Sequence, residues 1–432
     1  MPRETVLPAD LSQQFIAAYE AVAGRPAIPD WYLNLPKEPR PISEAERIEG
    51  LAAIWAQARA SFAFWTNFPE DLNWDAEFRR FLPLVAASDD PAEYYRLLRR
   101  FTALLCEGHS YVMQPPWIDN RVRPAIGIYP VEGQPVVVRG NGLPLGAVIT
   151  SVDDVPVTEL LPDLLALACS AADHGRLCQA MGALLEGPRG SQVRVGARLP
   201  DGAETVAILT RDGALPAAPL FEREDLPGGV ALVRIGAWHP ERVVELFHQA
   251  FPDFLGVRGI IFDLRRNGGG NSAFGDAVLA RLIDQPVERN IVSYQPLHWG
   301  SMQGLGLGAP VLTEHWRPLA PDTTRPRYAG PVAVLTGMQT VSAGEDFAAT
   351  FRLAGRGPLV GEPTAGSTGT PAIFPLPGGG VGAVSSTRCV YPGRAAFHGC
   401  GLAPDVPVSP TIAGLAAGRD EVLEAALAVL KA

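Results

Sequence analysis

Gly259-Ile-Ile-Phe-Asp-Leu-Arg-Arg-Asn-Gly-Gly-Gly270 is the stretch on which the fold turns. It opens on a short, almost wholly apolar run, as a strand buried on both faces requires. It closes on a glycine-rich turn, after which helical spacing runs to about Ile283. Strand, tight turn and helix in succession are the unit of a parallel α/β layer. The pattern continues outward. Gly229-Val-Ala-Leu-Val-Arg-Ile235 and Pro331-Val-Ala-Val-Leu-Thr336 read as further strands, and Leu359-Val-Gly361 as another. A helix from about Ser342 to Leu353 follows the Pro331 strand.

Upstream the character changes twice. Residues 1–118 read as helical. Ser43-Glu-Ala-Glu46 is a capping box opening a helix toward Trp65, and Asp90-Pro91 opens another, with Gly108 as its expected stop. His109 then lies just past a helix end. Residues 119–212 carry short β-branched runs, such as Pro135-Val-Val-Val138 and Gln192-Val-Arg-Val195, around a helical stretch near Leu160–Leu185. Residues 213–432 form the α/β part. Within it, Asn290–Arg327 is rich in Gly, Pro and aromatics and reads as one long loop.

Composition narrows the function. The chain has 432 residues, 47% of them apolar and 19% charged, which excludes a disordered protein. A net charge of −10 argues against nucleic acid as a partner. The five cysteines, Cys106, Cys169, Cys178, Cys389 and Cys400, contain no CxxC pair, so neither a disulfide framework nor a zinc site is expected. No apolar run approaches the ~20 residues of a membrane span. The first residues lack the apolar core of a signal peptide, so a cytoplasmic location is expected. Only two of the 36 basic residues are lysines, Lys37 and Lys431.

Three constellations can carry chemistry. Asn267-Gly268-Gly269-Gly270-Asn271 matches a dinucleotide fingerprint ending at Ala273, with Asp284 downstream; it also fits a plain tight turn or an oxyanion hole. Thr340-Val-Ser342-Ala-Gly344-Glu345 follows a strand. Ser342 and Glu345 form a capping box, and the same serine at a strand-to-helix junction can be a nucleophile with the Ala343 N–H facing an oxyanion. The α/β-hydrolase pattern fails, because position 340 is Thr and His398 precedes Asp405. His109 is the third; the other six histidines fall in no zinc pattern.

Taken in order, these pieces resemble the C-terminal-processing (tail-specific) serine protease family and its tricorn-like branch, from about residue 45 to the end. The Gly259 stretch, Thr340–Glu345, Val360-Gly-Glu-Pro-Thr-Ala-Gly366 and Gly401-Leu-Ala-Pro-Asp405 carry the resemblance, and Leu143–Asp154 looks like the core of a PDZ-like domain. The resemblance implies an α/β multidomain protein: a helical N-terminal region, a PDZ-like β-rich domain and a crotonase/ClpP-like α/β catalytic domain. It implies a serine endopeptidase acting on peptides or proteins through an acyl-enzyme, with no metal or organic cofactor and a possible homo-oligomer. The tail-specific branch takes a Lys base after the last Gly of its G-E-x-T-x-G motif; here that position is Ser367. The tricorn-like branch takes a His in a Gly-His-Ser/Thr context, which Gly108-His109-Ser110 matches. Ser342 is then the nucleophile and His109 the general base, with Ala343 and Gly269 or Gly270 as oxyanion donors. A histidine base titrates near pH 6–7, so activity should fall in mild acid. The branch places a Glu shortly before the closing motif, where this chain has His398, and that leaves the acid orienting His109 unassigned; Glu345 and Glu362 are candidates. The same fold resembles interphotoreceptor retinoid-binding protein, so a non-proteolytic apolar-ligand or peptide-binding protein is the alternative.

Overall fold

The computed structural model describes residues 5–6, 30–65, 69, 71–118, 121–213, 215, 217–289, 291–294, 310–391 and 397–431. The chain divides into two compact units. The first comprises residues 1–120, 289–317 and 369–396, and the second 121–288, 318–368 and 397–432.

In the first unit, helices Glu44–Ser61, Trp74–Ala86 and Pro91–Ala103 pack around an aromatic core. Trp74 stacks on Phe101 with ring centroids 4.2 Å apart, a contact that contributes beyond simple area burial. The expected capping box forms: Glu46 accepts from the Ser43 N–H at 2.8 Å and donates its own N–H to the Ser43 hydroxyl. One turn on, the buried Arg47 donates to the carbonyls of Val85 and Ala86, at the helix end where carbonyls lack intrahelical partners. The Pro91 helix stops at Ala103, short of the expected Gly108, because Cys106 turns the chain at φ +49°. Tyr111–Met113 then pairs with the hairpin Pro371–Leu376/Gly380–Ser385. Part of the long loop is ordered as strands: Ile291–Tyr294 pairs with Pro310–His315 and Thr387–Val390, while 295–309 lie outside the described residues.

The second unit contains two six-stranded sheets beside the short pair Arg121–Val122/Gly187–Pro188. One is antiparallel, in the order Glu204–Thr210, Gln192–Arg198, Val148–Val152, Gln134–Gly140, Ile126–Val131, with helices Val157–Leu165 and Asp173–Gly182. The other has the order Glu222–Leu226, Val230–Arg234, Gly259–Asp263, Val332–Thr336, Leu359–Gly361, Val406–Pro407. Its first pair is antiparallel and the rest are parallel. The central strands are buried along nearly their whole length, as their apolar runs require. Helices Arg242–Phe254, Ser272–Leu279, Ala343–Leu353 and Glu421–Val429 accompany it, and the fully buried Trp238 stacks on Phe347. Every parallel strand ends toward the turns that carry Gly268–Gly270, Ser342 and Glu362.

The Tyr95 hydroxyl donates to the Pro377 carbonyl at 2.6 Å and accepts the Gly380 N–H at 2.8 Å, closing the hairpin turn onto the helices. Tyr95→Phe leaves both backbone groups without that partner. It should lower the unfolding free energy by about 1–3 kcal/mol, read from urea denaturation.

Candidate functional site

Ser342 stands where the Val332–Thr336 strand passes into the Ala343–Leu353 helix, at φ +56° and ψ −123°. A non-glycine residue there costs on the order of 1–3 kcal/mol and persists only when its surroundings impose it. They do so here. The Ser342 N–H donates to the Ser367 carbonyl at 3.0 Å and to Glu345 Oε2 at 3.1 Å. Its carbonyl accepts the N–H groups of Glu345 and Asp346 at 2.8 and 3.0 Å. The preceding turn is tied down by Thr340, whose hydroxyl donates to the Leu264 carbonyl and accepts the Gly337 N–H.

Glu345 is the buried anchor of this turn. Its side chain is fully enclosed and accepts from four donors: the Thr364 hydroxyl at 2.5 Å, and the N–H groups of Gly366, Ser367 and Ser342. Burial pushes its carboxyl up to about 7, against the pull of those donors toward the charged form.

The glycine turn lies directly against the serine. A Cβ built on Gly269 would sit 2.8 Å from Ser342 Cβ and 3.0 Å from the Val341 carbonyl oxygen, so only glycine allows this approach. Asn267, fully buried, joins the two turns: its carbonyl accepts the Val341 N–H, and its side chain accepts the Gly269 N–H at 3.0 Å and donates to the Ile235 carbonyl. The two suggested glycines therefore differ. The Gly269 N–H is engaged, whereas among the described residues the N–H groups of Gly270 and Ala343 donate to nothing. Ala343 is the first residue of its helix, where the dipole favours negative charge.

His109 and Ser110 belong to the first unit. His109 Nδ1 is 3.5 Å from Glu107 Oε1, and the His109 backbone N–H donates to Glu107 Oε2 at 2.7 Å. The Glu107 side chain is fully buried and that of His109 is 13% exposed. One carboxylate thus holds both the ring and the backbone of the same histidine. Ser110 is buried, and its hydroxyl accepts the Ser385 N–H. Glu107 was missed in the sequence, where Glu-x-His carries no pattern of its own. Of the acids suggested for that role, Glu345 holds the Ser342 turn and Glu362 accepts from the Tyr129 hydroxyl at 2.7 Å. His398 lies in the turn Phe397–Gly401, which is joined to Gly366 by the Gly399 N–H. Among the described residues no cluster of three His, Cys, Asp or Glu side chains could hold a metal, and no helix is long and apolar enough to cross a membrane.

Because the Glu345 carboxyl is raised, its folded form binds a proton more tightly than its unfolded form. That stability is fully present below about pH 4.5 and is lost as pH rises to about 7. Urea midpoints should fall across this window in the wild type. Glu345→Gln should remove that component of the slope and lower stability throughout, since its amide N–H₂ meets N–H donors.

Residues 229–408 match the family described as Peptidase family S41. Tricorn protease homolog 2 of Streptomyces coelicolor is 25% identical over 413 residues, covering 87% of this chain and 32% of that protein. The chain thus spans about a third of the length of that relative. The chloroplastic C-terminal processing peptidase of Tetradesmus obliquus is 24% identical over 342 residues, 75% of this chain and 70% of that one. Among solved structures, mature CPAF aligns with a TM-score of 0.68 at 14% identity, over 90% of this chain and 97% of that chain. That likeness is one of fold.

Proposed function

We propose, from the match of residues 229–408 to peptidase family S41, that the protein is a serine endopeptidase with Ser342 as nucleophile and His109 as general base. The observation that carries this reading is the conformation of Ser342: a strained serine at a helix N-terminus, flanked by two N–H groups with no internal partner. A serine hydroxyl is a weak nucleophile near neutral pH and needs a base. No lysine lies in the sequence motifs that carry the resemblance, Lys37 and Lys431 being the only two.

The steps follow. His109 takes the Ser342 Oγ proton as Oγ bonds to the scissile carbonyl carbon. The N–H groups of Ala343 and Gly270 hold the resulting oxyanion. His109 returns the proton to the amine as the C–N bond breaks, leaving an acyl-enzyme and a free amino terminus. Water, deprotonated by His109, attacks the ester and releases the acid and the Ser342 hydroxyl. Glu107 fixes the ring and stabilises the imidazolium, in the place of the acid that the tricorn-like pattern puts where His398 stands. In this reading residues 1–118 are the helical region bearing the base, 119–212 a PDZ-like domain that receives peptide, and 213–432 a crotonase/ClpP-like catalytic domain. A cavity in the second unit lined by Arg123, Arg139, Arg265, Arg266 and Arg419 supports a peptide over an apolar ligand.

A fluorophosphonate probe should add one adduct to the wild type and none to Ser342→Ala, read by intact mass. His109→Ala should slow labelling by at least about a hundredfold. An undiminished rate in that variant would place the base elsewhere.

Glu107→Gln should lower kcat by roughly 10³–10⁴-fold with KM little changed, and Glu107→Asp should recover part of the loss. A purely structural Glu107 would instead change the melting temperature while leaving kcat of the folded fraction intact.

A further inference from the structure

The clamp on Ser342 is the segment from Thr364 to Ser367. The Thr364 hydroxyl and the N–H groups of Gly366 and Ser367 bind Glu345, and the Ser367 carbonyl takes the Ser342 N–H. Thr364 itself is fully buried. Its N–H donates to the Leu402 carbonyl at 3.3 Å, and its hydroxyl accepts the Leu402 N–H at 2.7 Å. Its carbonyl receives one donor among the described residues, the His174 ring, whose Nε2 is 2.7 Å away. A carbonyl oxygen can only accept, so the proton of that bond sits on Nε2. In the sequence, His174 was only one of six histidines outside any zinc pattern.

The ring is held in place from its own side. His174 lies in the first turn of helix Asp173–Gly182. Met181 of that helix is buried in the core of the antiparallel sheet, with Ile126 and Ile128. The loop leading into the helix is tied back by Gln179, whose side chain accepts the Cys169 N–H and donates to the Cys169 carbonyl, both at 2.9 Å. Gly175 lets the first turn close up: a Cβ there would lie 2.3 Å from Ser170 Oγ and 3.6 Å from the Ala365 carbonyl oxygen. Gly401, at φ +78°, packs against the same Thr364 oxygen, and a Cβ on it would lie 2.1 Å away. The oxygen is thus pressed by backbone and reached by one side chain, which a rigid element presents.

We propose that His174 is a positioning residue for Ser342, acting through Thr364 and Glu345. Loss of the Nε2–H leaves a buried carbonyl without a partner, and the readiest relief is rotation of the Thr364 peptide toward another donor. That rotation carries the Thr364 hydroxyl away from Glu345 Oε1, its partner at 2.5 Å, and shifts the Gly366 and Ser367 N–H groups behind it. Glu345 tolerates burial only with its donors in place, and the Ser342 turn keeps its strain only while Glu345 and the Ser367 carbonyl grip it. A relaxed turn takes Ser342 Oγ and the Ala343 N–H out of register with the scissile carbonyl. A misplacement of about 1 Å in such a site costs on the order of a hundredfold in rate. His174 touches no substrate in this account. The inference rests on the peptidase reading for what Ser342 does.

The test follows fluorophosphonate labelling of the full-length protein over a range of probe concentrations, which separates the maximal labelling rate from probe affinity. Melting curves on the same samples refer each rate to the folded fraction. His174→Leu should lower the maximal rate by roughly tenfold to a hundredfold with affinity little changed. His174→Gln offers an amide N–H at the reach of Nε2 and should recover most of that loss. If the leucine variant does not fold, His174→Asn, whose amide falls short of the carbonyl, supplies the same contrast with His174→Gln. Thr364→Val removes the hydroxyl that carries the effect to Glu345. Adding His174→Leu to it should lower the rate by less than about twofold further, since both act through one path. A ring that merely fills space predicts the reverse: glutamine no better than leucine, and losses that multiply with Thr364→Val. Either of those results, or a maximal rate in His174→Leu within about twofold of the wild type, overturns the role. A wild type that labels no faster than Ser342→Ala sinks the peptidase reading and this role with it. A wild type that labels, matched by His174→Leu, sinks the role alone.

Discussion

The second unit's candidate site depends on one buried carboxylate. Glu345 gathers the Ser342 N–H, the Thr364 hydroxyl and the N–H groups of Gly366 and Ser367 onto two oxygens. Ser342 sits at a backbone angle that no ordinary helix cap adopts, because caps are extended and their side chains turn back onto the helix. The Glu345 contact and the Ser367 carbonyl together grip the one N–H that a relaxing Ser342 would have to swing. The strain is therefore held from within the unit, by a residue whose own ionisation is opposed by burial. A carboxylate in this position is an expensive fastener, and four donors are what make it tolerable.

Much of this was legible in the sequence, for identifiable reasons. The apolar runs at Val230–Arg234, Gly259–Asp263 and Val332–Thr336 could only be strands buried on both faces, and they are. Ser43 and Asp90 announced their helices because cap chemistry is local. The Ser342/Glu345 spacing was legible as a cap, but the positive φ that sets Ser342 apart was not, since nothing in Thr-Val-Ser-Ala-Gly signals it. The Pro91 helix ran short of its expected stop because Cys106, a residue with no turn preference, takes the left-handed conformation. The hairpin that packs against the helices lies more than 250 residues from them in sequence, as the Tyr95–Pro377 contact shows, and no local pattern reports such a pairing.

The glycine turn shows where residue-type reasoning stops. Three consecutive glycines say that backbone must come close to something, and Gly269 does lie against Ser342. Which N–H remains available is decided by Asn267, whose side chain takes the Gly269 N–H and leaves that of Gly270 without a partner. An asparagine before a glycine run reads as ordinary turn chemistry. Its second role, joining the turn to Val341 through its carbonyl, is a tertiary fact.

Glu107 presents the same limit in reverse. The resemblance pointed to an acid near the closing motif, and the position holds His398. A search by sequence position passes over a glutamate two residues before the histidine, because i and i+2 side chains of a helix do not face each other. In this chain they can, because the helix has already ended at Ala103. After Cys106 reverses direction at φ +49°, Glu107 turns inward, and the Ser110 N–H donates to its carbonyl in a tight turn. The turn brings one carboxylate to both the ring and the backbone N–H of His109. A short-range acid of this kind fixes the ring relative to its own main chain.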